Sequence, residues 1–385
     1  MPRISPSLFI FEQSATDQRI SKEDIEKYSL EYLENGKTDA LFIENIKLYY
    51  DVQELVIKLL AQKLPQLKNF EHFLSLMEHL MPPDMKKEYL WKDEASKSKK
   101  KSNPRNSLTK IWLEFFNHDL PDDIILHSLR QLGNKRLINR LSDGKLLKNH
   151  IVSIFNSDDI PLHYSVIASR CLLLLIQRHG VNFENIYLRL YAILQPELFS
   201  SKMVQFDLES ISIFLDDLDV YLSSLILPPH TLAAFLKRLS ELSVTCAVEF
   251  VPSIITLIIR CLRRSDKCRA MVNALEDRMT NEELTYSDSF TKIDALKKSL
   301  WEVMSLSYHP WKRVRECVRR LSLPLTICID KGDNKSDLIE ESFVQIVKRD
   351  FEELNGIQTS SLYTIQGIKN SNYDFANITL TGWVM

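Results

Sequence analysis

Glycine is scarce in this sequence. Eight occur in 385 residues, about 2% where folded proteins average ~7%, and no two lie within five residues of each other. That spacing excludes both common phosphate-cradling loops, G-x-x-x-x-G-K-[ST] and G-x-G-x-x-G, because each needs close glycines to let backbone approach phosphate without a Cβ in the way. Cysteine pairs are also missing. The six cysteines, Cys171, Cys246, Cys261, Cys268, Cys317 and Cys328, include no C-x-x-C and mostly sit within apolar helical patterns. They read as buried thiols in a reducing compartment rather than a disulfide framework. No run approaches the ~18 apolar residues of a membrane span, and Leu8-Phe9-Ile10-Phe11 is too short for a signal-peptide core. The expectation is a soluble, intracellular protein without membrane contact. G-x-S-x-G and H-E-x-x-H are absent as well, and His72 and His79 have no third ligand in register. The sequence therefore predicts no enzyme, no metal, no cofactor and no small-molecule substrate. Nor is there an excess of one charge. With 49 Lys and Arg against 51 Asp and Glu, the net charge is −2, which excludes a globally basic nucleic-acid binder but leaves local basic patches open.

What is present is helical periodicity in a chain that is 45% hydrophobic. Ser21 can cap a helix whose third position carries Asp24, with Ile25, Tyr28 and Tyr32 on one face and Gly36 as its stop. Val52, Leu55, Val56, Leu59 and Leu60 mark a second helix. Phe70, Phe73, Leu74, Met77, Leu80 and Met81 mark a third, closed by Pro82-Pro83. Residues 1–92 thus read as an N-terminal helical unit. Residues 93–107 then break the pattern with a polar, basic linker, in which Lys97, Lys99, Lys100 and Lys101 form a cluster of the size of a nuclear-import signal.

From 108 to 323 the helices return. Ile167–Ile176 is apolar nearly all round, which places a helix among neighbours on most sides. Asp207, Glu209, Asp216, Asp217 and Asp219 punctuate a long apolar pattern and read as a solvated acidic face. Pro228-Pro229 can open a helix, since the first N–H groups of a helix have no intrahelical partner. Leu232, Phe235, Leu236, Leu239 and Leu242 follow as its packed stripe, with Lys237, Arg238 and Glu241 off it. The next helix is almost wholly apolar and ends in Arg263 and Arg264. Further on, Lys312, Arg313 and Arg315 stand beside Trp311, a composition suited to phosphate contact plus stacking. Lys237, Arg238, Glu241, Arg263, Arg264, Lys312, Arg313 and Arg315 are thus the candidates for partner or RNA contact. Residues 324–385 hold a loop, a helix from about 337 to 354, and a tail in which Phe375, Ile378, Leu380 and Trp383 alternate like an extended segment.

The order of several motifs resembles a known family. Trp112-Leu-Glu-Phe115-Phe116 is followed by a helix with Tyr187 and Tyr191 before Leu194-x-Pro196. Then come Pro228 to Leu239, Leu300-Trp301-Glu302 and Tyr308-His309-Pro310. Together they are similar, over roughly residues 107 to 320, to the CCAAT-binding-factor domain of nucleolar complex proteins, and the Trp-Leu-Glu-Phe block points to the fourth branch of that series. Trp112, Phe115, Tyr187, Tyr191, Pro196, Pro228, Leu232, Phe235, Leu239 and Trp301 would form its motif core. Three departures stand out. The family's basic stretch after the Leu-x-Pro helix survives only as Lys202, the segment from Asp207 to Asp219 is longer than usual, and Tyr286–Phe290 replaces an acidic Asp-Pro motif.

The resemblance implies a non-enzymatic factor of the nucleus and nucleolus, assembling the small-subunit (18S rRNA) precursor beside a large nucleolar partner protein within the pre-ribosomal particle, with an rRNA contact. The large-subunit branch of the same family and a nuclear-transport adaptor remain as alternatives. Independently of the resemblance, repeated amphipathic and all-apolar helices with short proline or glycine punctuation predict an all-α fold of irregular, HEAT-like stacked helix pairs.

Overall fold

The computed structural model describes residues 21–36, 40–66, 69–80, 104–157, 160–183, 185–273, 295–321 and 341–356. Regular structure among them is helical, with no strand, as the periodicity predicts. The Lys97–Lys101 cluster, Tyr286–Phe290 and the alternating tail lie outside the described residues. Two compact units divide between Ile193 and Leu194. That division falls within the 108–323 stretch that the sequence reads as one core.

The first unit contains α1 (Lys22–Asn35), α2 (Ala40–Leu48), α3 (Tyr50–Lys63), α4 (Phe70–His79), α5 (Pro104–Phe116), α6 (Asp122–Leu132), α7 (Lys135–Ile138), α8 (Lys148–Asn156), α9 (Leu162–His179) and α10 (Ile186–Ile193). Helix α1 starts as its sequence dictates. The Asp24 amide donates to Ser21 Oγ at 3.1 Å and the Ser21 amide donates to the Asp24 carboxylate at 3.3 Å, a reciprocal capping box. It stops at Gly36, whose φ of 66° is a left-handed conformation that a Cβ would strain. A Cβ there would also overlap the His72 ring of α4.

Residues 21–80 are not a separate domain within this unit. Phe73 stacks on Phe115 of α5 with centroids 5.0 Å apart, and Phe70 meets the same ring edge-on at 5.8 Å. Gln131 of α6 donates to the Leu74 carbonyl at 2.8 Å. The third apolar stripe needs a cover, and α5 and α6 supply it. The all-apolar segment becomes α9, buried from Tyr164 to Ser169 and from Cys171 to Leu175.

The second unit contains α11 (Ser201–Leu222), α12 (Pro229–Thr245), α13 (Val251–Arg264), α14 (Asp266–Asn273), α15 (Trp301–Ser305), α16 (Lys312–Leu321) and α17 (Phe343–Gly356). Pro229 opens α12 as expected, and Phe235, Leu236 and Leu239 have no exposed surface. The helix is not two-faced, however. Thr231 to Lys237, together with Ser240 and Ser243, are buried as well, because α13, α14 and α15 all pack on it. Helix α13 is buried from Val251 to Leu262 and contacts α11, α12, α16 and α17.

Candidate RNA and partner contact surface

The chemistry of the second unit depends on which of its charges the packing consumes. The acids of α11 are the first correction. Asp217 is buried. Asp216 receives the Phe343 amide at 2.7 Å and the Ser342 hydroxyl at 2.5 Å, which caps the first turn of α17. This cap explains why α17 begins at Phe343 rather than near 337. Asp219 holds two arginines of α13, with Arg260 Nη1 at 3.0 Å and Arg264 Nη2 on its other oxygen. The Arg260 guanidinium also lies 4.4 Å from the centroid of the Phe343 ring and donates to the Glu341 carbonyl. Of the segment read as a solvated acidic face, Glu209 is exposed as expected, whereas Asp216 and Asp219 anchor α11 to α17 and α13 and Asp217 is buried.

The cations of α12 are the second correction. Lys237 is buried, and its ammonium binds the Glu302 carboxylate and, at 3.1 Å, the Ser299 carbonyl. The other Glu302 oxygen accepts from Ser240 Oγ at 2.8 Å. A lysine expected to be wet is therefore the link between α12 and α15. Arg238 donates to the Leu194 carbonyl at 2.8 Å and lies 3.7 Å from Glu241, whose carboxyl is pushed up by burial. Arg263 is half-buried. Of the basic residues named for contact on α12 and α13, only Arg264 is exposed, and it is paired with Asp219.

Helix α16 divides its charges differently. Val314, Cys317, Val318 and Leu321 are buried, while Lys312, Arg315, Glu316 and Arg319, at i, i+3, i+4 and i+7, are exposed on the opposite face. Arg313 falls between the two. It is mostly buried, with its Nε 3.3 Å from the fully buried Asp350 of α17. Burial pushes the Asp350 carboxyl up to about 6, against the opposing pull of Arg313 and Arg349. Arg315 donates to the carbonyls of His309 and Pro310 at 2.7 and 2.6 Å, which fixes the loop that enters the helix.

The aromatics are exchanged relative to expectation. Trp311, read as the stacking residue beside the cations, is buried, and its indole N–H reaches Glu353 at 3.3 Å. Trp301, read as motif core, is instead 59% exposed, and Tyr308 is 92% exposed. The remaining motif residues divide by chemistry. Trp112, Phe115, Tyr191, Leu232, Phe235 and Leu239 are buried, Tyr187 is half-buried, and Pro196 and Pro228 stand exposed at the starts of their turns. Arg319 was legible as a surface position from the phase of the Val314–Leu321 stripe, and Tyr308, on a separate turn, was not. Nor was the outward turn of Trp301.

Among the described residues no group of three or more His, Cys, Asp or Glu side chains could hold a metal ion. None of their helices is long and apolar enough to cross a membrane. Burial pushes the thiols of Cys246 and Cys261 up to about 12 and that of Cys317 up to about 11, so they stay protonated near neutral pH.

Several known proteins are similar to this chain. The "Nucleolar complex protein 4 homolog" of Danio rerio is 24% identical over 259 residues, covering 66% of this chain and 47% of the relative. That of Gallus gallus is 23% identical over 345 residues, covering 85% and 65%. The "Protein NUCLEOLAR COMPLEX ASSOCIATED 4" of Arabidopsis thaliana is 29% identical over 243 residues, covering 57% and 40%. The chain thus spans between 40% and 65% of the length of these relatives. Residues 165–318, from α9 into α16, match the model of the CBF/Mak21 family.

Proposed function

We propose that this chain is a non-enzymatic scaffold of the nucleus and nucleolus, acting through protein contacts in assembly of the small-subunit ribosomal precursor. The observation that carries this reading is the similarity to nucleolar complex protein 4 homologues of fish, bird and plant, joined to the CBF/Mak21 match over residues 165–318. Its partners in this reading are a large nucleolar protein of the small-subunit precursor, the pre-ribosomal particle, and rRNA touched from the basic face of α16.

The geometry supports a scaffold in two ways. Leu225 and Ile226, between α11 and α12, are 103% and 91% exposed, and adjacent aliphatic side chains so fully hydrated gain from burial against a partner. The buried charges meanwhile serve to hold helix to helix, as Lys237–Glu302 and Asp219–Arg260 do, rather than to poise a reacting group.

Affinity purification of the tagged chain from cells, with sequencing of the RNA that comes with it, tests the reading. Small-subunit precursors together with a large nucleolar protein are the expected yield. Large-subunit precursors would move the chain to the other branch of the family, and cytoplasmic or nuclear-envelope residence without ribosomal precursors would make it a transport adaptor.

A further inference from the structure

We propose that the corner formed by α15, the turn after it and α16 binds a single-stranded RNA segment, with Trp301 and Tyr308 as stacking platforms and Lys312, Arg315 and Arg319 as phosphate contacts. The inference rests on the assembly reading above and names the ligand chemistry of its rRNA contact. Trp301, Ser305 and Tyr308 recur at i, i+4 and i+7 along α15 and the three-ten turn Leu306–Tyr308, and all three are exposed. Val303 between them is fully buried. The two rings therefore share the outward side, about 11 Å apart along the axis. The row Lys312, Arg315 and Arg319 runs about as far along α16, and Arg315 ties its start to His309 and Pro310, the two residues that follow Tyr308.

Charge favours nucleic acid over protein here. The row carries three cations against one exposed acid, Glu316, which lies 3.6 Å from Lys312; of the nearby acids Glu353 is held by the Trp311 indole and Glu302 is neutralised internally by Lys237 and Ser240. A protein interface of ordinary composition is depleted of lysine at its centre. Exposed rings beside a cationic row are instead what single strands use, since each unpaired base offers a face to stack and each linkage a phosphate to neutralise. A duplex keeps its bases stacked on one another and cannot use the rings.

The test is fluorescence anisotropy of the full chain with a labelled single-stranded RNA of about a dozen mixed-sequence nucleotides, compared with a duplex of the same sequence. The single strand should bind more tightly. Trp301→Ala and Tyr308→Ala should each weaken it by about tenfold, within the range of alanine substitution at a stacked base, whereas Tyr308→Phe, which keeps the ring, should bind as wild type. Lys312→Ala and Arg319→Ala should each lower the slope of log affinity against log salt by about 0.7. Because these side chains are exposed, circular dichroism should show every variant folded. Equal binding of duplex and single strand, or affinities untouched by Trp301→Ala and Tyr308→Ala, would overturn the inference. So would variants that bind RNA normally but lose a co-purifying protein, which would make the corner a protein interface. Recovery of small-subunit precursors by the wild-type chain is scored separately. If it persists while the oligonucleotide result is negative, the assembly reading stands and this inference falls.

Discussion

Helices α13 and α16 both set cations beside buried apolar residues, and the fold treats those cations differently. Arg260 and Arg264 of α13 close onto Asp219 of α11, whereas Lys312, Arg315 and Arg319 of α16 lie on its exposed face. The difference is one of surroundings. Helix α13 lies among α11, α12, α16 and α17, so a cation leaving its stripe meets another helix, and only an acid at that spot makes the arrangement tolerable. In α16 the cations fall opposite the buried stripe and meet solvent. A basic run therefore announces a binding face only when its phase is opposite to the core and its far side is uncovered.

The largest expected effect comes from breaking the core that both helices share. Replacing Phe235 and Leu236 together with Asp places two charges at fully buried positions without partners. Loss of soluble, helical protein is expected, and a soluble double variant with wild-type circular dichroism would refute the assignment of α12 to the core. Asp219→Ala is next. It removes the carboxylate that pairs with Arg260, and removing one partner of a buried pair typically costs about 3–5 kcal/mol, to be read from denaturant unfolding. An effect below about 1 kcal/mol would place that end of α13 with α16 as an ordinary surface.

The third prediction concerns the acid that draws Arg313 inward. The folded Asp350 carboxyl lies near 6, above the ordinary 3.8. A carboxyl raised on folding contributes stability that is complete below the unfolded value and lost as pH rises through the folded one. The stability advantage of wild type over Asp350→Asn should thus shrink by roughly 2–3 kcal/mol between pH 4 and pH 7. An unchanged difference across that window would mean that Asp350 stays ionised throughout. The smallest effect sharpens the contrast from the other side. Charge reversal at Lys312 and Arg319, which fix no loop, should change stability by under about 1 kcal/mol while weakening RNA binding.

Much of this architecture was legible in the sequence, for reasons local to it. The Ser21–Asp24 cap, the Gly36 stop, the proline entry to α12 and the apolar stripes report the helix itself. What escaped reading depends on neighbours distant in the chain. Nothing around Lys237 announces Glu302, 65 residues away, and nothing around Asp216 announces the start of α17, 127 residues away. The candidate site was legible as a basic, aromatic segment, but its working ring was not. The sequence sets Trp311 next to the cations, yet Trp311 faces inward to Glu353 while Tyr308 and Trp301 turn out. A residue adjacent in sequence to a charge on a helix points about 100° away from it, since 3.6 residues complete a turn.

The α15–α16 corner, and not the basic end of α13, is the proposed place where the chain meets RNA. Ultraviolet crosslinking of the tagged chain in cells, with mapping of the crosslinked peptides, tests it most directly. Crosslinks within residues 301–319, centred on Trp301 and Tyr308, are expected. Crosslinks confined to the end of α13 near Arg263 and Arg264, with none at the corner, would contradict it.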